Sequence, residues 1–489
     1  MDCRQYITYH ANGRAYPETI TIPVTPEADE PRHLESGVIN LYPEVEYQTV
    51  DGFGGAMTDT SAYLLSKMPA DTRRALLKEL FTKEGNALSL IRVPLDSCDY
   101  SLEEYQAVED PVADPEFASF NMERNFRYVL PMLKEAISVC DQEVSVLLSP
   151  WSPPKQWKTP PARPKNDKSV YGALPGMPEK NLDYDHPSRN NGGSLKKEYY
   201  TPWANYLVKM IEAYLKEGIP VTMLTLQNES IAATEWDSCV WTAAEQKEFL
   251  RDHLYPALKQ AGLSDRIGLY IWDHNKERVY EWAKEVLDEE TLPMVEGIAF
   301  HWYSGDHFEA LQIARSQFPG LKVMLSEMCP LHQPGRVGFM NMFSKKTPET
   351  VEYEDAASYA HDMIGNLNAG MERWIDWNLV VDKDGGPRHV RSGFAGPVIA
   401  DDEGGYRKDL IFDYIGHFSR YILRGAKRIA ASRCDDLVEV TAAKNPDGSL
   451  VLVVLNRGNE DRGYAIRVLD QVIRISIPKE TISTFVIEG

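Results

Sequence analysis

Positive charge is in short supply in this chain. Against 73 Asp and Glu it carries 52 Lys and Arg, a formal net charge of −21, so a phosphate backbone or an anionic lipid surface is repelled and nucleic acid is excluded as a partner. Long apolar runs are missing as well. No stretch approaches the roughly 18 residues a membrane helix needs, so no membrane-spanning segment is expected, and the opening residues show no basic start followed by an apolar core. With no visible leader the chain is expected in the cytoplasm, or outside the cell if a leader has been removed. The six cysteines, Cys3, Cys98, Cys140, Cys239, Cys329 and Cys434, form no CxxC or short paired spacing. That points to free thiols rather than a disulfide framework or a zinc cluster. A phosphate loop is also absent: Gly52-Phe53-Gly54-Gly55 lacks GxGxxG spacing and no GK[ST] follows it. It reads as close backbone packing at a strand end.

What is present is enough apolar material for a large core. At 489 residues, 43% of them hydrophobic, the chain has room for a barrel of roughly 250 to 350 residues and a smaller partner. The most informative stretch is Val221-Thr-Met-Leu-Thr-Leu-Gln-Asn-Glu-Ser230. An apolar run entered through Gly218 and Pro220 reads as a strand buried on both faces, and it places Gln227, Asn228 and Glu229 at its C-terminal tip. Similar runs recur at 50–57, 87–93, 144–148, 266–272, 295–300, 321–325 and 371–377, separated by helical patterns such as 69–81 and 203–214. A capping box, Thr242 with Glu245, opens another helix. Eight strands alternating with helices predict an α/β fold, a (β/α)8 TIM barrel over residues 50–393.

Outside that span the period changes. Segments 5–10, 18–24, 37–41 and 46–50, and then 437–443, 450–456, 464–469, 472–477 and 483–487, are short and bounded by turn residues such as Asn445-Pro446-Asp447-Gly448. Residues 1–49 and 394–489 are therefore expected to form one β-sandwich domain from both chain termini.

In a barrel the strand tips carry the chemistry. Strand four ends in Glu229 and strand seven ends Ser326-Glu327, nearly opposite each other across the mouth. Two carboxylates facing one another over a pocket is what glycoside hydrolysis requires, about 5 to 5.5 Å apart in a retaining enzyme. Two groups of metal-type side chains also fall at strand ends, Asp273-His274-Asn275 and His301 with His307. His301 and His307 are wrongly spaced for one helical face, and no third ligand is spaced to complete a site, so no metal is expected. The proposed chemistry needs no cofactor.

The order and spacing of several motifs over nearly the whole chain resemble glycoside hydrolase family 30, in its glucosylceramidase-like branch. They are Val50-Asp51-Gly52-Phe53-Gly54-Gly55, Ile91-Arg92-Val93-Pro94 with Ser97-Cys98-Asp99-Tyr100, Ser149-Pro150-Trp151-Ser152, Gln227-Asn228-Glu229, His301-Trp302-Tyr303, Ser326-Glu327, Trp374-Ile375-Asp376-Trp377-Asn378-Leu379 and Gly416-His417-Phe418-Ser419. The resemblance implies a barrel joined to a β-sandwich and retaining hydrolysis of a β-linked glycoside or oligosaccharide. By it, Glu229 is the acid/base and Glu327 the nucleophile. Asn228 contacts the sugar's 2-hydroxyl, Arg92 and Tyr303 flank the nucleophile, and Asp99, Trp151, Trp374 and Asn378 hold the terminal sugar. His301 supports the pocket, and Trp377 is read as barrel packing. Ser230 stands where the family commonly has proline, which leaves the loop after the acid/base less restrained.

The segment 158–193, rich in Pro, Asn and Gly, follows strand three and is expected on the catalytic face. With Trp236 and Trp241 it suggests a walled pocket and hence exo action of the β-glucosidase or glucosylceramidase kind. The alternatives are an endo-acting β-1,6-glucanase or xylan-directed hydrolase of the same family, and a non-catalytic carbohydrate-binding protein. Loss of a carboxylate would mark the last, and both are present.

Overall fold

The computed structural model describes residues 2–9, 19–29, 36–160, 190–234, 236–332, 334, 346–390 and 393–488. Eight parallel strands close into a barrel: Gly52–Ala56, Leu90–Leu95, Ser145–Pro150, Val221–Thr225, Gly268–Asn275, Gly297–His301, Lys322–Glu327 and Arg373–Asn378. All eight coincide with the strands expected from sequence. The barrel interior is filled by a layer of Leu90, Leu147, Met223, Tyr270, Ala299, Met324 and Ile375, one from each of strands two to eight. Strand one adds Gly54 in register with Leu90 and Ile375. A Cβ there would lie 2.0 Å from the Leu90 carbonyl oxygen, so these strands meet only because that residue is glycine.

Alternate residues of the same strands, including Phe53, Ile91, Val146, Leu224, Ile298, Val323 and Trp374, face outward and pack under the helices. Helix Tyr200–Lys216 buries Trp203, Leu207, Met210, Ile211 and Tyr214 on that layer. Helix Ala243–Phe249 starts at the expected capping box, with Thr242 and Glu245 bonded reciprocally.

The terminal segments build a ten-stranded sheet. Its first strand, Asp2–Tyr9, pairs antiparallel with its last, Thr481–Glu488. One face, with Ala443, Val451, Val453, Leu455 and Ile482, joins the apolar layer around the barrel. The sheet folds over so that Leu452, Val454 and Phe485 meet Ile466, Ile473 and Ile475 in a separate core, giving the β-sandwich. Two details differ from the sequence reading. Segments 37–41 and 46–50 are one long strand, Val38–Thr49, because its partner Lys427–Ser432 bulges along it and keeps pairing continuous. That partner strand went unread, its Lys-Arg start and small residues giving little alternation. Most of segment 158–193 lies outside the described residues. Its ends are held together, with Lys158 paired to Leu195 and the Lys158 ammonium donating to the carbonyls of Asn190, Gly192 and Ser238. No described helix is long and apolar enough to cross a membrane.

Candidate active site

The barrel mouth is organised around a buried cation. Arg92 on strand two is fully enclosed, and its guanidinium donates to Ser149 (3.0 Å), Glu327 Oε2 (2.7 Å), Asn228 Oδ1 (2.7 Å) and Asp273 Oδ2 (2.9 Å). A planar fork with several fixed donors can serve partners from strands three, four, five and seven at once, which a lysine cannot. Trp151 and Trp377 stack on each other with centroids 5.1 Å apart and cover the guanidinium at 4.8 and 5.5 Å.

Glu327 also accepts from the Tyr303 hydroxyl at 3.0 Å, and that hydroxyl lies 3.3 Å from Cys329 Sγ. Glu229 is placed by the backbone. Its φ is +49°, and its N–H donates to the Asp273 carbonyl at 2.7 Å. Trp272 and Asp273, at the tip of strand five, also have positive φ, +74° and +52°. Non-glycine residues held there are strained by about 1 to 3 kcal/mol each, and such strain clusters where side chains must be aimed. Ser230 does not loosen this turn. It is buried, donates to the Trp272 carbonyl at 2.6 Å and accepts from Gln246 at 3.0 Å, so hydrogen bonds supply the restraint expected to be missing without proline.

His301 stands between the two glutamates, its Nδ1 3.4 Å from Glu229 Oε1 and 3.9 Å from Glu327 Oε1, with Nε2 3.2 Å from Asp273 Oδ1. Burial would lower its pKa, but the charge of Glu327 and the hydrogen bonds to Asp273 and Glu229 outweigh it and raise the pKa to about 9. Burial would raise Asp273, yet Arg92 and His301 hold it well below the usual carboxylate range. Asp99 is pushed up to about 7 by burial, against Arg388 at 3.2 Å.

A pocket opens over the carboxylates, lined by Asp99, Trp151, Asn228, Glu229, Trp236, Tyr303, Glu327, Cys329, Leu331, Trp377 and Phe394. Of the residues carried over by resemblance, Asp99, Trp151, Asn228 and Tyr303 are thus brought together with both glutamates. Two are not. Trp374 is fully buried outside the barrel, against Phe53 and Tyr359. Asn378 accepts from Thr58 at 2.6 Å behind the mouth and is not among the lining residues. Strand eight alternates, so Trp374 and Asp376 point out while Ile375 and Trp377 point in; the aromatic wall is Trp377, which the sequence reading took for packing. Trp241 likewise packs between Tyr200 and Phe249 rather than lining the pocket.

Asp273, at the strand-five tip in a run whose side chains sequence reasoning favours as hydrogen-bonding partners of the pocket, is such a partner, whereas Arg388 as a support and Phe394 and Cys329 as walls were missed. The expectation that no third metal-type ligand completes a site also needs correction. Folding brings Glu229, His274 and His301 together, with ligand atoms within 4.8 Å of one another. His307 stays outside, exposed at the start of a helix.

Sequence profiles described as the glycosyl hydrolase family 30 TIM-barrel domain and the family 30 beta sandwich domain match residues 50–422 and 425–485. Lysosomal acid glucosylceramidase of Mus musculus is 33% identical over 436 residues, spanning 87% of this chain and 78% of that protein. The crystal structure of SrfJ from Salmonella typhimurium superposes with a TM-score of 0.87 at 29% identity, covering 100% of both chains. An endo-beta1,6-glucanase structure follows at 0.81 and 25%, covering 100% of this chain and 99% of that one. With its closed barrel, its terminal sandwich and two glutamates at the tips of strands four and seven, the chain belongs to glycosyl hydrolase family 30 and is a glycoside hydrolase.

Proposed function

We propose that the protein is a retaining, exo-acting β-glucosidase of the glucosylceramidase kind, with Glu229 as acid/base and Glu327 as nucleophile. The observation that carries the assignment is the unequal environment of the two carboxylates. Glu327 faces a permanent cation, Arg92 at 2.7 Å, and a phenol donor, Tyr303 at 3.0 Å, both of which favour the ionised form needed for attack. Glu229 faces the imidazoles of His301 at 3.4 Å and His274 at 3.6 Å.

The reaction then runs in two displacements. Glu229 gives its proton to the glycosidic oxygen as Glu327 Oε attacks the anomeric carbon, breaking the bond to the leaving group and forming a glycosyl ester. Water, deprotonated by Glu229, attacks the same carbon and frees Glu327. The Asn228 side-chain oxygen is occupied by Arg92, leaving its amide hydrogens for the sugar's 2-hydroxyl. Asp99 is placed to accept from ring hydroxyls, and Trp151 and Trp377 to cover C–H faces.

Exo action is supported by the walls of Trp236, Leu331 and Phe394 around the carboxylates. The lysosomal glucosylceramidase relative agrees with a glucoside, while the endo-β1,6-glucanase neighbour keeps an endo reading in contention. Aryl β-glycosides, glucosylceramide and β-1,6-glucan assayed side by side separate the two: release of glucose from the first two with none from the glucan is expected, and rapid midchain cleavage of the glucan reverses the reading. Glu327→Ala should lose nearly all turnover. Glu229→Ala should retain activity on substrates with good leaving groups and be rescued by azide, and a 2-deoxy-2-fluoro glycoside should label Glu327. Labelling of Glu229 would exchange the roles.

A further inference from the structure

Three side chains from strands four, five and six point their donor atoms at one spot. His274 Nδ1 lies 3.6 Å and His301 Nδ1 3.4 Å from Glu229 Oε1, and all three ligand atoms fall within 4.8 Å of one another. A tetrahedral zinc with bonds of about 2.0 to 2.1 Å sets its ligands roughly 3.4 Å apart, so two of the three spacings already match. Both Nδ1 atoms are buried; that of His274 has no hydrogen-bond partner, and that of His301 meets the Glu229 carboxylate. The cost of such an orphaned nitrogen is removed when it binds a cation.

The surroundings supply what a metal-binding imidazole needs. His301 Nε2 faces Asp273 Oδ1 at 3.2 Å, a carboxylate–histidine arrangement that fixes the ring, and an ion bound at Nδ1 displaces the proton held there. Asp273 is itself held by Arg92 and by the Ser326 hydroxyl. Two nitrogens and one carboxylate oxygen suit zinc rather than calcium or magnesium, which take oxygen ligands. Glu327 Oε1 lies 3.9 Å from His301 Nδ1.

We infer that Glu229, His274 and His301 form a binding site for Zn2+, and that the bound ion inhibits the enzyme by occupying the carboxylate that must move the proton. Zinc and a glycoside then compete for one pocket, because a cation on Glu229 stands where the leaving oxygen must come.

The test uses the full-length protein freed of metal by chelation. Calorimetric titration with Zn2+ should show one saturable site, and Co2+ in its place should give the visible d–d absorption of a low-coordinate nitrogen and oxygen site. His274→Gln and His301→Gln, each checked for folding by circular dichroism, should weaken zinc binding at least 10-fold, within the range that loss of a ligand or its support produces. His253→Gln, at a half-buried histidine on a helix outside the pocket, should bind as the unaltered protein does. Inhibition of the unaltered enzyme should be competitive with an aryl β-glycoside and reversed by chelator. Because binding is read by heat and absorption, its outcome is separate from the roles assigned to the two glutamates. No saturable site, binding unchanged in both histidine variants, or a sulfur-to-cobalt charge-transfer band placing the ion on a cysteine would each overturn the inference.

Discussion

At the scale of single residues, the decisive distinction is between two tryptophans three positions apart. Trp377 stacks on Trp151 and lines the pocket, whereas Trp374 is enclosed between the barrel wall and Tyr359. Trp377→Leu should therefore lower kcat/KM for aryl β-glucosides about 10-fold or more, the loss of a single aromatic contact of about 1.4 kcal/mol or above. Trp374→Leu should lower the chemical denaturation midpoint by an amount worth about 2 kcal/mol or more while the folded fraction keeps its kcat/KM. If Trp374→Leu instead raises KM at full stability, the sugar is held on the other side of strand eight from where the pocket lies.

At the scale of elements, the contact between the first two barrel strands rests on one missing side chain. A Cβ on Gly54 would meet the Leu90 carbonyl oxygen at 2.0 Å and its carbonyl carbon at 2.6 Å, and backbone in a closed barrel has nowhere to go. Gly54→Ala is expected to destabilise by about 3 kcal/mol and to disturb Arg92, which lies two residues beyond Leu90. Gly218, between a helix and strand four, is the contrast. Its φ is +81° but a Cβ there meets nothing within 4 Å, so Gly218→Ala should cost only the left-handed strain, about 1 to 2 kcal/mol. Denaturation midpoints of the two variants compared with the parent check the order. Equal losses would mean that backbone conformation, and not the close approach of strands, is what glycine provides at Gly54.

At the scale of the whole molecule, barrel and sandwich are joined through helix Leu410–Ser419, whose His417 is buried between the two ends of the chain. Its Nε2 meets Thr8 Oγ1 and its Nδ1 meets Thr484 Oγ1, both at 2.8 Å. A neutral imidazole has one donor and one acceptor for these hydroxyls, and burial lowers its pKa to about 3. In the unfolded chain the same group takes up its proton near pH 6.5. Between those values the unfolded state binds more protons, so this contribution is fully present above about pH 6.5 and is lost as pH falls toward 3, by about 1.4 kcal/mol per pH unit. The fall in Tm between pH 7 and pH 4.5 should accordingly be smaller in His417→Gln than in the parent, whatever the variant's absolute Tm. An equal or steeper fall would show that His417 is not the group that couples the chain ends to pH.

Sequence alone determined the number and order of the barrel strands, the division into barrel and terminal sandwich, and the arrival of Glu229 and Glu327 at the tips of strands four and seven. These follow from hydrophobic period and spacing, which are local quantities that a closed parallel barrel leaves intact. What the tertiary structure decided is phase and convergence. In strand eight, Arg373–Asn378, each set of alternate positions mixes polar and apolar residues, so nothing local says which set faces inward; Trp374 and Asn378 share one phase and Trp377 has the other. An error of one position carries the whole set to the wrong side. Convergence is lost to local reading for a different reason. Glu229, Asp273, His274 and His301 come from three strands, and their meeting depends on left-handed turns at Glu229, Trp272 and Asp273 that no propensity for those residue types predicts. The strain is tolerated because Arg92, Ser326 and the Glu229 N–H hold Asp273 from three sides, a set of contacts that exists only once the barrel has closed.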